Sequence, residues 1–493
     1  MTAAPAPAAV ISAPGDLGPA LIGEIAAGRA VTLAPGLLSG VQRQSELARA
    51  ALASGAAVYG VNTGMGALSG IRLTDAEQRA HQHNLLLARA TGGPPWLGHG
   101  DVRALFAVRL ATFLSGDAGV SGQLCQLLAG FLNAGLTPAV PRTGVGCAGE
   151  IIPLAHAFGP LIGTGYVLRS DGSRQAASDA LREHRLSEFA LGPKEGIALL
   201  AGVPGATALT IRRAAEARAL AAAMEAAAAL SVVAADASRD PYAAAAGRGD
   251  ETLAEVLGRL RGLTGDSQGP TALQAPVSFR AAGPVLAHLL RAAGAADASV
   301  GRALAGVTDS PAFTGGGFTG NAGFHGIDLA AGCDGLTAAL AHAAEVSAAR
   351  LHRLLDPRVT GLAAQLATVP GPDAGLVAVH KRAAGEVHAM RRMATATPVG
   401  LIETSGGQED VQSFAWEAAE NLRQALACAR AVTACELLAA YQGCVLGHRR
   451  GTAAGARLLD WLAGVIPPIL ADRPFGEDIE HISRALAQPL VFG

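Results

Sequence analysis

Stretches rich in Ala, Leu, Arg and Glu, and nearly free of Pro and Gly, dominate the chain beyond residue 205. Such composition favours extended helices. Alternating β-branched and aromatic runs, which indicate strands, are scarce. We therefore predict long helices over residues 206–238, 329–355, 377–393 and 411–446, and we expect the acidic run at 404–410 to open the last of them.

The first third of the chain has a different pattern, in which short apolar stretches alternate with Gly-rich turns. Further loops dense in Gly, Thr and Ser occupy 309–326 and 398–407. The predicted fold class is all-α, a long-helix bundle whose loops carry the chemistry. We expect a loop-rich N-terminal part (1–205) and a central bundle with C-terminal helices (206–493), together one continuous structural unit.

Charge and composition exclude several classes of protein. Of 493 residues only 16% are charged, and 38 basic against 40 acidic residues leave a net charge of −2. This balance argues against a nucleic-acid-binding surface and against a disordered chain. So few charges indicate that part of the surface is covered by other subunits.

No metal site, disulfide framework or membrane span is predicted. The six cysteines lie far apart without a CxxC pair. His380 and His388 are eight residues apart on a predicted helix, too far for one ion. The uncharged run 151–168 contains prolines and glycines, which favours a buried segment over a span. Because the N-terminus lacks the basic region of a signal peptide, we expect a cytoplasmic protein.

Two kinds of residue are candidates for chemistry. Lys194 and Lys381 are the two lysines among the 38 basic residues, and a desolvated lysine can lose its proton near neutral pH, unlike arginine. A GC-rich genome would also explain why arginine is so much more frequent than lysine. Tyr59 precedes a loop with glycines at 60, 64 and 66, where a phenol could act as acid or base. On local evidence alone, an ordinary loop tyrosine is the simpler interpretation.

The order of six segments along the chain changes this interpretation. They lie at 59–66, 146–156, 194–202, 274–280, 321–325 and 405–410. In this order they resemble the catalytic-tyrosine loop, the prosthetic-group loop and four further segments of the aromatic amino acid ammonia-lyase family, which includes histidine, phenylalanine and tyrosine ammonia-lyases and aminomutases. The resemblance implies a mainly helical homotetramer of fumarase/aspartase-like architecture, with active sites shared between subunits and a small amino-acid-derived substrate.

One departure from the family bears on its chemistry. Members build the electrophile 4-methylideneimidazol-5-one from an Ala-Ser-Gly tripeptide, which here reads Cys147-Ala148-Gly149. The methylidene carbon arises when serine loses water, and Ala148 has no hydroxyl to lose. We therefore expect no such cofactor. Further departures at 89, 201, 275 and 277 favour natural divergence over a single engineered change.

A chain without this electrophile needs a substrate whose leaving group departs unaided. A quaternary ammonium group leaves as neutral trimethylamine, and ergothionase, related to this family, follows that logic on the betaine ergothioneine. The resemblance then implies that Tyr59 takes the β-proton, that Arg280 holds the carboxylate, and that Lys381 and Glu409 polarise the ring. Predicted substrate-binding residues are Asn62, Gly66, Arg89, Gln274, Arg280, Asn321 and Phe324. Arg89 replaces a histidine that selects the side chain, which suggests an anionic ring substituent.

Three hypotheses remain open from the sequence. The first is a carbon–nitrogen lyase without the prosthetic group. The second is a conventional ammonia-lyase or aminomutase seen as a Ser-to-Ala variant. The third is a non-catalytic relative that keeps the scaffold, against which the retention of Tyr59, Arg280 and Glu409 counts. In the first, Cys147 and Ala148 only line the site, and Cys147 is a small buried thiol.

Overall fold

The computed structural model describes residues 6–265, 272–400 and 402–488, and these are mostly helical. The fold class predicted from the sequence is confirmed. The helices are α1 Pro19–Ala26, α2 Pro35–Ala53, α3 Asp75–Arg89, α4 His99–Leu114, α5 Gly122–Ala134, α6 Ile151–Phe158, α7 Ala177–Glu183, α8 Glu195–Leu200, α9 Pro204–Ala235, α10 Glu251–Thr264, α11 Val277–Arg280, α12 Ala282–Ala305, α13 Ile327–Leu354, α14 Pro357–Thr360, α15 Val377–Met393, α16 Ala415–Leu446, α17 Ala453–Val465 and α18 Phe475–Ala485.

The described strands form three short two-stranded ribbons. β1 and β2 pair in parallel, with Ala9 opposite Val31, while β3–β4 and β5–β6 are antiparallel. The strands are β1 Ala9–Ile11, β2 Val31–Leu33, β3 Tyr166–Leu168, β4 Arg174–Ala176, β5 Ala312–Thr314 and β6 Gly317–Thr319.

The chain divides into two compact units. The first, here called the loop unit, comprises Met1–Arg212, Ala296–Cys333 and Ala396–Glu420, and the second, the helix unit, comprises Arg213–Ala295, Asp334–Thr395 and Asn421–Gly493. This division differs from the predicted split after residue 205. The two Gly-rich loops after α12 and α15 pack with the N-terminal part, so the loop unit is built from three separate stretches.

The long helices lie where composition predicts them. Those predicted over 206–238, 329–355 and 377–393 are α9, α13 and α15. The start of α16 is wrong in the prediction, since the helix begins at Ala415 and the run 404–410 holds only a short 3-10 turn. Phe414 has a φ of +52°, which a right-handed helix excludes, and the Ser413 hydroxyl donates to the His325 carbonyl.

One stretch, residues 195–235, is long and apolar enough to cross a membrane by length and composition alone. Of its most apolar window, 83% is buried inside the protein. The stretch includes α8 and α9, and alanines such as Ala221, Ala227 and Ala228 are fully buried. A core helix that packs closely on its neighbours through small side chains passes the same test.

The helix unit buries an ionic cluster around Glu436. Its carboxylate accepts hydrogen bonds from Arg350 Nε (2.7 Å) and Nη2 (3.0 Å). Ser231 Oγ donates to the same carboxylate at 2.7 Å, and Ser347 donates as well. Arg350 Nη1 reaches the Ser278 carbonyl at 3.1 Å. The two charges are thus paired and surrounded by further hydrogen bonds, which is the condition for burying them.

Candidate active site

Tyr59 lies in the loop between α2 and α3, and 39% of the residue is exposed. Its hydroxyl oxygen accepts a hydrogen bond of 2.8 Å from the backbone N–H of Gly66. Gly66 has a φ of +59°, in the left-handed region that glycine adopts without strain. The loop therefore presents a phenol whose oxygen already receives one hydrogen bond.

Close packing and one buried amide fix the path of this loop. A Cβ at Gly60 would lie 2.4 Å from Ile197 Cδ1, so the loop passes too near α8 for any side chain there. The Asn62 side chain is buried, donating to the Ala56 carbonyl (2.7 Å) and accepting from the Val58 N–H (2.8 Å). Asn62 thus holds the loop together, and its contact with substrate stays a prediction.

A cavity of about 390 Å³ opens beside the tyrosine loop, within the loop unit. Its volume lies in the range of small-molecule sites. The cavity brings together five of the residues predicted from the sequence, namely Tyr59, Ala148, Gly149, Phe324 and Glu409. Phenol, carboxylate and peptide groups therefore surround one space.

Glu409 connects two of the loops around this cavity. Its Oε2 accepts a hydrogen bond from the Ala148 N–H (2.9 Å) and another from Thr404 Oγ1 (2.9 Å). The residue before Ala148, Cys147, is buried, and its Sγ donates to the Gly149 carbonyl at 3.5 Å. Burial raises the pKa of the Cys147 thiol to about 11, so this sulfur is a poor nucleophile near neutral pH.

Arg89, at the end of α3, contacts a residue of the cavity wall but does not line the cavity itself. Its Nη2 lies 3.8 Å from Met65 Sδ, and Met65 lines the cavity. Burial lowers the pKa of Arg89, whereas Tyr59 and Glu409 act in the opposite direction through their charges. The role of Arg89 toward a ring substituent stays a prediction.

Comparison with known proteins agrees with this architecture. The aromatic amino acid lyase profile matches residues 17–463. The chain belongs to this family. A histidine ammonia-lyase from Geobacillus thermodenitrificans is 31% identical over 472 residues, which cover 92% of each chain.

Two solved structures have the same fold. The chain superposes on a tyrosine aminomutase from Streptomyces globisporus with a TM-score of 0.90, at 26% identity and 95% coverage of each chain. It also superposes on the ergothioneine-degrading enzyme ergothionase from Treponema denticola with a TM-score of 0.91, at 23% identity, covering 97% of this chain and 98% of that one. At 23% identity this second likeness establishes the fold alone.

The residues of this chain do not fit the prosthetic group of the family. The tripeptide that would cyclise is Cys147-Ala148-Gly149, and the Ala148 side chain is a methyl group without a leaving hydroxyl. The misfit lies in the chemistry of this side chain, because the methylidene carbon would have to come from a serine that loses water. No step of the chemistry proposed below passes through that group.

Three predicted site residues belong to the helix unit, namely Gln274, Arg280 and Lys381. None of them lines the cavity of the loop unit. Gln274 and Lys381 are exposed, while Arg280 is half-buried, and its Nε has no hydrogen-bond partner among the described residues. Their predicted roles stay predictions.

Asn321 has a structural role in the loop unit. Its Nδ2 donates to the Asp309 carbonyl (2.7 Å), and its Oδ1 accepts from the Gly323 N–H (2.8 Å). Both ends of the amide are thus used, one toward Asp309 and one inside the turn that precedes Phe324, a residue of the cavity wall. A role in positioning substrate stays a prediction for Asn321 as well.

Lys194 is buried and pairs with the carboxylate of Asp309, its Nζ lying 2.8 Å from Oδ2. Burial raises the pKa of Asp309, and the charges of Lys194 and Arg109 oppose that shift. Arg109 is fully buried over the rings of Phe113 and Phe158, and burial lowers its pKa to about 10. This arrangement gives Lys194 a structural role beneath the site.

Glu150 follows the degenerate tripeptide directly and is a buried residue that local sequence reasoning does not single out. Its carboxylate accepts hydrogen bonds from the backbone N–H groups of Gly205 (2.7 Å) and Ala206 (2.5 Å), at the start of α9. Burial raises the pKa of Glu150 to about 7, although the two N–H groups and Arg109 oppose that shift. The carboxyl group therefore ties the loop to the N-terminus of a core helix.

Several residues that line the cavity were not predicted from the sequence. Met65, His325, Gln408 and Asp410 belong to this set. Each lies next to a predicted residue or inside a motif of the family resemblance, so the motifs contained their signal. The sequence does not predict which side of each loop faces the cavity.

Proposed function

We propose that this protein is a carbon–nitrogen lyase that works without 4-methylideneimidazol-5-one and eliminates an amine from an aromatic or imidazole amino-acid derivative. The proposed substrate is a betaine such as ergothioneine, which would release trimethylamine and leave an acrylate. One observation carries the proposal. The cavity keeps Tyr59 and Glu409, while the loop that would form the electrophile carries a methyl group at Ala148, which has no hydroxyl to lose.

The elimination balances without a further reactant. Tyr59, as the base, takes the β-proton, and the electrons of the Cβ–H bond become the second bond between Cα and Cβ. The Cα–N bond breaks, and trimethylamine leaves as a neutral molecule that keeps the electron pair of the Cα–N bond. The quaternary ammonium group is positively charged beforehand, so it needs no covalent activation.

The remaining roles complete the proposal. Arg280 binds the substrate carboxylate as a bidentate fork, while Lys381 and Glu409 polarise the ring or its sulfur. Gln274 and Asn321 position the substrate, and Arg89 faces a ring substituent. Because Gln274, Arg280 and Lys381 do not line the cavity of the loop unit, we propose a homotetramer whose subunits share each site, as the family resemblance implies.

The decisive experiment offers the purified protein ergothioneine, histidine betaine, histidine, phenylalanine and tyrosine. Product is followed by ultraviolet absorbance and mass spectrometry, together with assays for trimethylamine and ammonia. We expect an acrylate and trimethylamine from a betaine alone. Ammonia from a free amino acid would contradict the proposal and favour a conventional ammonia-lyase or aminomutase.

Variants connect the activity to the cavity. Tyr59→Phe removes the proposed base and should reduce turnover by at least about 100-fold. Lys381→Met should reduce turnover while Arg382→Met, one residue along α15, should leave it unchanged. If none of the five compounds reacts, the double change Cys147→Ala with Ala148→Ser tests whether an ancestral ammonia-lyase activity can be restored.

A further inference from the structure

A second cavity, of about 800 Å³, lies within the helix unit. Its wall is formed by residues at the ends of α9, α10 and α16 and by the loops that follow these helices. Among the described residues, none lines both this cavity and the one beside Tyr59. Two lining residues, His448 and Arg450, are exposed, so the cavity can be reached from solvent. The proposed lyase chemistry makes no use of this space.

The charged side chains of the wall are mainly basic. Three arginines, Arg239, Arg449 and Arg450, line the cavity together with one carboxylate, Asp236. Arg239 Nη1 donates to Asp236 Oδ1 at 2.8 Å, and Arg450 Nη2 donates to the exposed residue Asp460 at 2.5 Å. Arg449 contacts carbonyl oxygens and has no carboxylate within ion-pair distance in the part of the chain that the structure describes. The wall therefore carries an excess of positive charge.

Helix capping explains part of this arrangement. The last carbonyls of a helix carry partial negative charge, which a nearby cation offsets. Arg449 Nη1 donates to the carbonyl of Ala234, in the last turn of α9, and to that of Thr360 at 3.3 Å. Capping of this kind pairs each donor with an acceptor that the protein itself supplies. Donors that remain without an acceptor need a different explanation.

Two buried donors of the wall remain without an acceptor. Arg239 Nε and Thr264 Oγ1 have no hydrogen-bond partner among the described residues, and Thr264 is only 1% exposed. Buried polar atoms of native proteins are nearly always hydrogen-bonded, to the protein or to a bound molecule. Because both residues line the same cavity, an occupant with several acceptor oxygens would satisfy them.

We propose that this cavity binds a phosphate group, either free or in a small phosphate ester. A phosphate group carries a charge near −2 at neutral pH and has three strong acceptor oxygens, which matches the excess of donors and of positive charge. The guanidinium groups of Arg239 and Arg449 bind its charge, and Thr264 donates its hydroxyl. A monocarboxylate has one charge and two oxygens, fewer than these donors require. The site is independent of the proposed lyase activity.

The test measures the binding of inorganic phosphate and of glycerol 3-phosphate to the purified protein by isothermal titration calorimetry. We expect saturable binding that weakens as sodium chloride is added, together with a rise in Tm. Tighter binding of glycerol 3-phosphate would identify the ligand as an ester, and tighter binding of inorganic phosphate would identify it as the free ion. Succinate is the comparison, and its binding as tightly as either phosphate would overturn the assignment. Absence of binding would overturn the site itself.

Thr264→Val removes the unpartnered hydroxyl with little change of shape, and it should weaken phosphate binding by about tenfold. Since that hydroxyl bonds to nothing among the described residues, the variant should keep the Tm of the wild type in phosphate-free buffer. Thr433→Val is the matched control. Thr433 is also buried, on α16, and its Oγ1 donates to the Ala429 carbonyl at 2.8 Å. This control should leave the phosphate affinity unchanged.

Arg239→Gln and Arg449→Gln test the charges, and each should weaken phosphate binding by at least about tenfold. Arg358→Gln, at an exposed position of the helix unit outside the cavity, should not weaken it. Because Arg239 and Arg449 also bind backbone carbonyls, Thr264→Val keeps the test valid if these variants unfold. Unchanged phosphate affinity in a folded Thr264→Val protein would overturn the proposal. Loss of phosphate binding in Tyr59→Phe would also overturn it, since the anion would then occupy the other cavity.

Discussion

Glu436 and Glu409 show two opposite ways of holding a carboxylate. Glu436, in the helix unit, is fully buried, and its oxygens receive Arg350 and two serine hydroxyls. Glu409, in the loop unit, lines a cavity and receives one peptide N–H and one hydroxyl on a single oxygen. The charge of Glu436 is thus balanced by Arg350. Glu409 accepts both of these hydrogen bonds on Oε2, which leaves Oε1 for a bound substrate.

The same contrast separates the basic residues. Arg350 is buried and bidentate on its carboxylate, whereas Arg89 is half-buried and contacts the Met65 thioether. Groups whose hydrogen bonds are complete stabilise the fold, and groups with unused capacity near a cavity are candidates for chemistry. The comparison therefore predicts which substitutions change stability and which change activity.

The largest expected effect on stability is at Glu436. Glu436→Gln leaves the buried Arg350 without a counter-charge, and breaking a buried pair in this way costs about 3–5 kcal/mol of unfolding free energy. Glu409→Gln keeps an oxygen for the Ala148 N–H and should lower activity while leaving stability within about 0.5 kcal/mol. Urea denaturation measures the first effect, and turnover of the substrate identified above measures the second.

The double variant Arg350→Met with Glu436→Leu is the control for this pair. Removing both charges together should restore part of the lost stability, because no unpaired charge is left behind. Equal losses of stability in Glu436→Gln and Glu409→Gln would remove the distinction between the two carboxylates.

Glu150 is buried like Glu436 but has no ion-pair partner among the described residues, and it should make the stability of the protein depend on pH. Burial raises its pKa from 4.5 to about 7, so the folded protein binds a proton more tightly than the unfolded chain does. The stabilisation that protonated Glu150 contributes to the folded protein is complete below pH 4.5, and it is lost as the pH rises through about 7. The shift corresponds to about 3 kcal/mol.

Unfolding free energies measured across this pH range, for the wild type and for Glu150→Gln, isolate the contribution of Glu150. The wild type should lose stability with rising pH relative to Glu150→Gln, which cannot titrate. Glu255→Gln, at an exposed position on α10, is the control and should follow the wild type. Parallel curves for wild type and Glu150→Gln would show that the Gly205 and Ala206 N–H groups keep the carboxylate ionised throughout.

The fold could be predicted from the sequence to within a few residues, because helix propensity is local. Helix α15 has the predicted bounds, and the error at α16 comes from Phe414, whose left-handed conformation depends on packing. The site could not be predicted by local reasoning, by which Tyr59 is an ordinary loop residue and Glu409 belongs to an acidic run that opens a helix. The order of the motifs is what placed Tyr59 and Glu409 in one site. Glu150 and Met65 were found only from the structure, because their contacts depend on which groups are buried together.

The smallest expected effect concerns the N–H that faces the phenol. Gly66 has a φ of +59°, and a Cβ at this position would meet no other atom within 4 Å, so Gly66→Ala is strained by its backbone and not by crowding. The strain should cost roughly 1–2 kcal/mol and displace the donor from Tyr59, which reduces activity.

Gly70→Ala, in the same loop, has equal space without a positive φ, and should be neutral or stabilising by about 0.4–1 kcal/mol because it restricts the unfolded chain. Opposite signs for the two variants in thermal unfolding would show that the loop is held in a strained conformation to place that N–H, and equal signs would show that the conformation of Gly66 is not needed.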